Sequence, residues 1–171
     1  ETKVLGTGFG AYNAFVTLAN FSGNGAPSIV ARRTSDGAVV RFDGNGTGGL
    51  VSTTPKVITP SGWGGKGYNQ WFGSGDITKD GRSDLVVREA DGDIIAWKGN
   101  GTGGFSGSVK IATWRYFVTM TSPGDLNKDG LSDVVARYSD GRTRLYSVRT
   151  ATGWGSALAL ATAPSGDRLL P

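Results

Sequence analysis

The stretch that decides the fold of this chain is Asp125-Leu126-Asn127-Lys128-Asp129-Gly130-Leu131-Ser132-Asp133. Side chains that carry oxygen stand at positions one, three, five and nine of this loop, and Gly130 permits a sharp bend at position six. The carbonyl of Leu131 can supply a further oxygen. Oxygens that converge from alternate positions form the shell that a hard divalent cation prefers. The stretch therefore predicts a calcium loop.

The loop occurs twice more upstream. One copy, Asp76-Ile77-Thr78-Lys79-Asp80-Gly81-Arg82-Ser83-Asp84, keeps the central Asp-Gly pair and the terminal Asp. The other, Asn20-Phe21-Ser22-Gly23-Asn24-Gly25-Ala26-Pro27-Ser28, keeps the glycine but has no carboxylate. Without compensating charge, a loop cannot offset the free energy of stripping water from a divalent cation. We therefore expect two calcium sites, and a first loop that retains its shape but stays empty.

The three loops mark a repeat, because they begin at Asn20, Asp76 and Asp125, which are 56 and 49 residues apart. Repeat periods of this size are typical of propellers and arrays. An apolar run and an arginine follow each loop, then an Asp-Gly turn, then a strand that ends with an aromatic residue. The arginines are Arg32, Arg88 and Arg137, the turns are Asp36-Gly37, Asp91-Gly92 and Asp140-Gly141, and the aromatic residues are Phe42, Trp97 and Tyr146.

The strand before each loop and a less regular strand at the end of each unit bring the count to four strands per repeat. The prediction is an all-β chain with three propeller-type blades of four antiparallel strands, and no window shows sustained helical periodicity. Blade 1 is expected at about 1–56, blade 2 at about 57–110 and blade 3 at about 111–160, with a tail at 161–171. Propellers typically close with four to eight blades, so self-association or a larger propeller is expected.

Composition narrows the classes of partner and of chemistry. The net charge of +4 comes from dispersed Lys and Arg residues, which disfavours nucleic acid, and no apolar run is long enough for membrane insertion. The chain has no His and no Cys, so it cannot assemble the usual nucleophilic triads or zinc sites by itself. Of its 14 acids, six lie in the two acidic loops and three in the hairpin turns. The remaining five form no recurring pair, and we expect no enzyme.

The acidic loops have two other interpretations, and the glycine-rich loops have one. The acidic loops could be Asx-rich turns that cap strands without an ion. An EF-hand is disfavoured, since Val87 and Ala136 stand where it needs an acid at position twelve and no helices flank the loops. The glycine-rich loops at 43–50 and 98–105 are not expected to bind phosphate, because no Gly-Lys-Ser/Thr follows them.

With an Asp-rich loop between its first two strands and an Asp-Gly hairpin between the next two, the chain resembles the FG-GAP/VCBS-like repeats, which build β-propeller blades. The resemblance covers essentially the whole chain and implies calcium in both acidic loops. The implied ligands are Asp76, Thr78, Asp80, Asp84 and the carbonyl of Arg82 in one loop, and Asp125, Asn127, Asp129, Asp133 and the carbonyl of Leu131 in the other. Similar repeats occur in extracellular adhesion proteins, lectins and accessory modules of secreted bacterial hydrolases, which implies an extracellular binding domain.

Aromatic residues between the blades are the sequence's pointer to a ligand. Trp63, Tyr68, Trp114 and Tyr116 lie in irregular segments, and flat rings suit sugar faces. Phe9, Trp63 and Trp114 recur at comparable places before the three loops, however, and such recurrence favours core packing. Trp71 and Trp97 are expected in the core. Two hypotheses follow: a carbohydrate-binding module, and a module for protein interaction, adhesion or assembly.

Overall fold

The computed structural model describes residues 4–59, 63, 67–150 and 153–159, with the backbone alone described for 148–150 and 153–159. The strands are β1 (Tyr12–Leu18), β2 (Ser28–Arg33), β3 (Val39–Asp43), β4 (Lys56–Thr59), β5 (Gln70–Gly73), β6 (Leu85–Arg88), β7 (Asp93–Gly99), β8 (Phe105–Thr113), β9 (Phe117–Gly124), β10 (Asp133–Tyr138), β11 (Thr143–Thr150) and β12 (Gly153–Ala159). A short 3-10 turn at Phe9–Ala11 precedes β1, and the described residues contain no α-helix.

Each group of four consecutive strands forms one antiparallel sheet, in the orders β1-β2-β3-β4, β5-β6-β7-β8 and β9-β10-β11-β12. The prediction of an all-β chain with three four-stranded antiparallel blades is confirmed. β4 ends at Thr59 and β8 at Thr113, so these sheets extend about three residues past the expected boundaries near 56 and 110. The predicted tail at 161–171 lies outside the described residues.

The strand register gives every blade two distinct faces. Thr17, Ile29 and Phe42 are paired across β1, β2 and β3, so they share one face, and Gly73, Leu85 and Trp97 form the same row in blade 2. We call the face that holds this row the N-face, and the opposite face the C-face. The C-face rows are Val16 and Val30 in blade 1 and Phe72, Val86 and Ala96 in blade 2.

Most of the core lies between successive blades. Val16, Leu18 and Val30 on the C-face of blade 1 pack with Leu85 and Val87 on the N-face of blade 2. A second cluster joins blades 2 and 3 in the same way, through residues that include Phe72, Val86, Ile94, Met120, Val134 and Ala136. A third cluster, formed by Ala31, Val40 and Phe42, lies on the N-face of blade 1 and is covered by Phe9, Tyr12 and Leu50 of the same blade. The apolar runs of β2 and β6 are therefore covered on both faces.

The hairpin turns use their Asp-Gly pairs in a specific way. In the second blade the N–H of Gly92 donates to the carbonyl of Glu89 at 3.0 Å, and only the glycine of the pair has a positive φ, 95°. The aspartate instead accepts a hydrogen bond: Asp91 Oδ1 takes the N–H of Asp93 at 3.0 Å. The same bond forms at Asp36 and Asp140. These acids are structural, as the sequence predicts.

Candidate functional site

The three predicted loops share one backbone shape. Positions four and six are left-handed in each: φ is 66° at Lys79 and 82° at Gly81, and 61° at Lys128 and 88° at Gly130. The first loop, without any carboxylate, has glycine at both places, with φ of 76° and 81°. A lysine in this conformation is strained by about 1 kcal/mol or more. The shape of the first loop therefore survives without acids, as expected from the sequence.

The carboxylate at position nine anchors each acidic loop to the protein interior. Asp84 is fully buried; its Oδ2 accepts the N–H groups of Ile77 and Thr78 at 3.1 and 3.0 Å, and its Oδ1 accepts that of Gly99 at 3.0 Å. Burial raises the pKa of Asp84 above its usual range, against the lowering effect of the Gly99 N–H. A carboxylate has lone pairs beyond those in use, so these bonds leave Asp84 within the predicted ligand set.

Asp133 occupies the same place in the third loop. It is fully buried, and its Oδ2 accepts the N–H groups of Leu126 and Asn127 at 2.9 and 3.2 Å. The position-nine acids thus fix the start of each loop to its end.

The acids at positions one and five lie at the outer side of the loops. Asp76 accepts the N–H groups of Asp80 and Gly81 at 3.1 and 2.7 Å, and Asp125 does the same for Asp129 and Gly130 at 3.1 and 2.8 Å. The carboxylate at position five accepts the N–H of position seven, the residue whose carbonyl is a predicted calcium ligand. Asp80 Oδ1 accepts the N–H of Arg82 at 3.0 Å, and Asp129 Oδ1 accepts that of Leu131 at 2.9 Å.

Position three shows how oxygens converge in the third loop. Asn127 Nδ2 donates to Asp129 Oδ2 at 3.0 Å, Asp133 Oδ1 at 3.3 Å and Ser147 Oγ at 2.8 Å. Three oxygens, two from the loop and one from β11, therefore surround one partly positive amide group. The oxygen and nitrogen of an amide exchange by rotation, and such a rotation would turn Asn127 Oδ1 to the same point. These oxygens are ligands that a hard cation prefers.

Position three of the second loop gives an independent sign. Thr78 Oγ1 is buried and makes no well-formed hydrogen bond, although it lies close enough to Asp84 to lower the pKa of that carboxyl. A buried hydroxyl without a good partner is costly in a native structure. A cation between Thr78 and the acids of its loop would satisfy it, so this loop fits the ion as well.

The match to a known family falls on these two loops. Residues 76–136 match the family model of the FG-GAP-like repeat. The matched segment starts at the first acid of the second loop and runs through the third loop into β10. This FG-GAP-like segment contains both acidic loops and leaves the first loop, which has no carboxylate, outside. A search of curated proteins finds no match to the chain.

The first loop, which precedes the FG-GAP-like segment, has a different arrangement of charge. Ser28 stands at position nine, and its hydroxyl donates to Asp43 Oδ1 at 3.0 Å. Asp43 is 8% exposed and pairs with Arg41 and Lys56, each at 3.1 Å. Burial alone would raise the pKa of Asp43, but the hydrogen bonds from Lys56 and Ser28 outweigh it and lower that pKa. The sequence analysis missed this acid, because it comes from β3 and not from the loop.

A different set of acids also lies close together. Among the described residues, one group of three carboxylates has oxygens within 4.8 Å of one another: Glu89, Asp91 and Asp93, at the hairpin turn inside the FG-GAP-like segment. This group could hold a metal ion. Asp93 is already paired, however, with Lys110 at 2.6 Å and with the Thr113 hydroxyl at 2.7 Å. The three acids stand at alternate positions along the chain, 89, 91 and 93, and this spacing is the sequence signal that predicts the group.

The four aromatic candidates separate into two pairs. Trp63 and Tyr68 are 5% and 2% exposed and pack in the core between blades 1 and 2, so neither offers a ring face to a ligand. Trp71 and Trp97 pack against the same core. Burial, and next the carboxylate of Glu89, raise the pKa of Tyr68 to about 12.

The other pair lines an open cleft at the start of blade 3. Tyr116 is 78% exposed and Trp114 is half-buried, with its ring centroid 4.5 Å from that of Tyr146. The cleft has a volume of about 320 Å³, and it is lined by Thr113, Trp114, Arg115, Tyr116, Phe117, Tyr138 and Tyr146. Arg88 fixes its floor by donating to the carbonyls of Trp114 and Arg115 at 3.1 and 3.4 Å. Aromatic rings, hydroxyls and a guanidinium therefore meet in one concave surface.

Proposed function

We propose that this chain is a calcium-stabilised, non-catalytic binding module that acts outside the cell and whose ligand is a carbohydrate. The repeated acidic loops, the match of residues 76–136 to the FG-GAP-like repeat and the aromatic cleft support the proposal. The described residues contain no helix long and apolar enough to cross a membrane. The absence of His and Cys from the chain fits a role in binding rather than catalysis.

Calcium would be held by the two acidic loops, at the ligands that the resemblance implies. The convergence of oxygens on Asn127 and the poorly bonded hydroxyl of Thr78 support this assignment. A bound cation neutralises carboxylates that otherwise repel one another. The loops' own residues pre-form the site, since Asp84 and Asp133 hold the backbone in place. Binding to the folded state alone would add about 2.7 kcal/mol of stability per site at a calcium concentration of one hundred times Kd.

The cleft at Tyr116 is the observation that carries the carbohydrate proposal. Sugars bind through apolar ring faces that stack on aromatic side chains, with hydroxyls that need donors and acceptors at the edges. Trp114 and Tyr116 supply the faces, while Arg115 and the hydroxyls of Tyr138 and Tyr146 supply polar groups at the same cleft. These two phenols lie 2.7 Å apart, so they are held in a fixed geometry.

A glycan array followed by titration of the best saccharide tests this role. Tyr116→Ala is expected to weaken binding about tenfold or more, because a stacking aromatic at the centre of a site commonly contributes over 1.4 kcal/mol. Phe15→Ala is the matched control, since Phe15 is also an exposed aromatic, 46% accessible, but lies on blade 1 away from the cleft. Equal binding by both variants, or an array without a saccharide that free sugar displaces, would refute the carbohydrate role.

A protein-interaction, adhesion or assembly module is the second candidate. It is favoured by the apolar groups left exposed at the two ends of the blade array, among them Phe15 on blade 1 and Leu126 on blade 3, which are 46% and 53% exposed. A protein partner would still bind after its glycans were removed, whereas a glycan ligand would be lost. That comparison separates the two candidates.

A further inference from the structure

Position two of each nine-residue loop carries an apolar side chain, which we call the plug. Phe21, the plug of blade 1, is 1% exposed, and its ring centroid lies 5.3 Å from that of Phe105 in blade 2. Ile77, the plug of blade 2, is equally buried, in the cluster that joins blades 2 and 3. Leu126, the plug of blade 3, is 53% exposed. Each buried plug lies at a junction with the following blade, and among the described residues Leu126 has no following blade.

The surface that receives a plug is present on blade 2 and can be described by its residues. Phe21 lies against Gly99, where an added Cβ would come within 3.5 Å of the Phe21 ring, and against the ring of Phe105. Leu85, at the start of β6, belongs to the same buried cluster. The plug site of blade 2 therefore combines a leucine side chain, a glycine that leaves room and a large apolar residue after the glycine-rich loop.

An open cleft on the N-face of blade 1 has this same composition. It measures about 450 Å³ and is mostly apolar, and its lining includes Ile29, Gly44 and Leu50. Counted from the loop start or from the glycine of the hairpin turn, these three residues correspond to Leu85, Gly99 and Phe105 of blade 2. The cleft is therefore the plug site of blade 1, and the described residues supply no plug for it.

A second contact between blades leads to the same end of the array. The arginine that follows each apolar run reaches the segment that opens the next blade: Arg32 Nη1 donates to the carbonyl of Tyr68 at 2.9 Å, and Arg88 Nε donates to that of Trp114 at 3.1 Å. Arg137 holds the same position in blade 3, and it has no such partner within the part of the chain that the structure describes. Within the described residues, blade 3 thus presents an exposed plug at the loop end of β10 and, further along the same strand, an arginine without the partner that Arg32 and Arg88 have.

We infer that the C-face of blade 3 packs against the N-face of blade 1 of a second copy of this chain, with Leu126 in the cleft at Ile29 and Leu50. The contact is of the kind that the chain already makes twice internally, between the C-face of one blade and the N-face of the next. Two copies joined head to tail at both ends give six blades, which lies within the range of closed propellers. The inference is independent of the carbohydrate role.

The inner strands set a steric requirement that differs between the two internal junctions. Gly73 of blade 2 approaches β1 so closely that an added Cβ would lie 2.3 Å from the carbonyl oxygen of Thr17. At the junction of blades 2 and 3, however, the corresponding residue is Ser122, which is half-buried there with its side chain in place. Thr17 occupies this position in blade 1, so the inferred contact has to follow the junction of blades 2 and 3, which admits a side chain there, and not that of blades 1 and 2.

Sedimentation velocity of the purified chain over a wide concentration range tests the inference. The expected species has twice the mass of one chain. Leu126→Arg and Thr17→Arg, which place a charge on the plug and at the edge of the cleft, are each expected to halve that mass; both positions are solvent-exposed, so the fold should tolerate them. Ser108→Arg is the control, because Ser108 is exposed on β8 of the middle blade, outside the inferred contact, and it should leave the mass unchanged.

A cross-link locates the contact, since the chain has no cysteine of its own. Mixing the single variants Leu126→Cys and Leu50→Cys with a short thiol-specific bifunctional reagent should link the two different chains, because Leu50 corresponds to Phe105, whose ring contacts the plug of blade 1. A single-chain mass for the wild type at every concentration, open polymers in place of a closed pair, or a pair that survives both arginine variants would overturn the inference.

Discussion

Replacing Asp84 with alanine is expected to reduce the free energy of unfolding by about 3 kcal/mol or more. The carboxylate accepts three buried N–H groups, those of Ile77, Thr78 and Gly99, and each buried donor left without an acceptor costs about 1–3 kcal/mol. Burial raises the pKa of Asp84, so the buried charge itself destabilises the folded state. Removing that charge offsets part of the stability lost with the three hydrogen bonds. The three unsatisfied donors nevertheless outweigh that relief.

Urea unfolding followed by circular dichroism measures this effect, with a calcium chelator present throughout so that loss of ion binding does not contribute. Asp80→Ala is the matched control. Asp80 belongs to the same loop but is exposed and accepts one N–H, that of Arg82, so its loss should cost about 1 kcal/mol or less. Similar losses for the two variants would show that Asp84 does not anchor the loop.

Truncation of Trp63 to alanine is expected to cost about 3–5 kcal/mol, the range for removing a large aromatic residue from a core. Its indole contacts the rings of Tyr68, Trp71 and Trp97 with centroids 5.0, 5.2 and 4.6 Å away, and it stacks on Phe105 at 6.0 Å. These rings form much of the junction between blades 1 and 2, so the cavity would lie where the two sheets are held together. Thermal and urea unfolding both report the loss.

Tyr116→Ala provides the contrast. Its side chain is 78% exposed, and its removal should change stability by no more than about 0.5 kcal/mol. The two variants thus separate an aromatic residue that supports the fold from one that is available to a ligand. If Trp63→Ala were as stable as Tyr116→Ala, the junction between blades 1 and 2 would not depend on this cluster.

The fold was predictable because the same sequence features recur at the same relative positions in each of the three repeats. The loops at Asn20, Asp76 and Asp125 recur with an Asp-Gly turn and an aromatic residue at fixed distances, and each feature has a local cause in turn geometry or in strand burial. The three sheets, their four strands and their order follow from those local signals. The ends of β4 and β8 were less predictable, since both strands are largely exposed or half-buried and lack a strong apolar pattern.

The site was predictable only in part, because chemistry in this chain depends on contacts between distant segments. Trp63 and Trp114 look alike in the sequence, yet one is enclosed by Tyr68 and Trp97 while the other borders an open cleft. Asp43, the acid that serves the first loop, comes from a strand more than a dozen residues later. Residue spacing alone predicts neither the burial of these two indoles nor the contact of Asp43 with the first loop.

The two-site expectation likewise depends on charge and not on loop shape. All three loops adopt the same left-handed turns, but Asn20, Asn24 and Ser28 leave the first one neutral, and Asp43 beside it is already paired with Lys56. An ion would have to compete with that internal pair. Shape without charge should therefore bind no calcium.

The central claim is that the two acidic loops take calcium, and a calorimetric titration of the metal-free chain tests it most directly. We predict two calcium ions per chain, together with a melting temperature that falls when a chelator is added. The double variant Asp76→Asn/Asp80→Asn, which gives the second loop the asparagines of the first, should bind one ion and keep its fold. Binding of no calcium, of three ions, or of two ions by the double variant would contradict the claim.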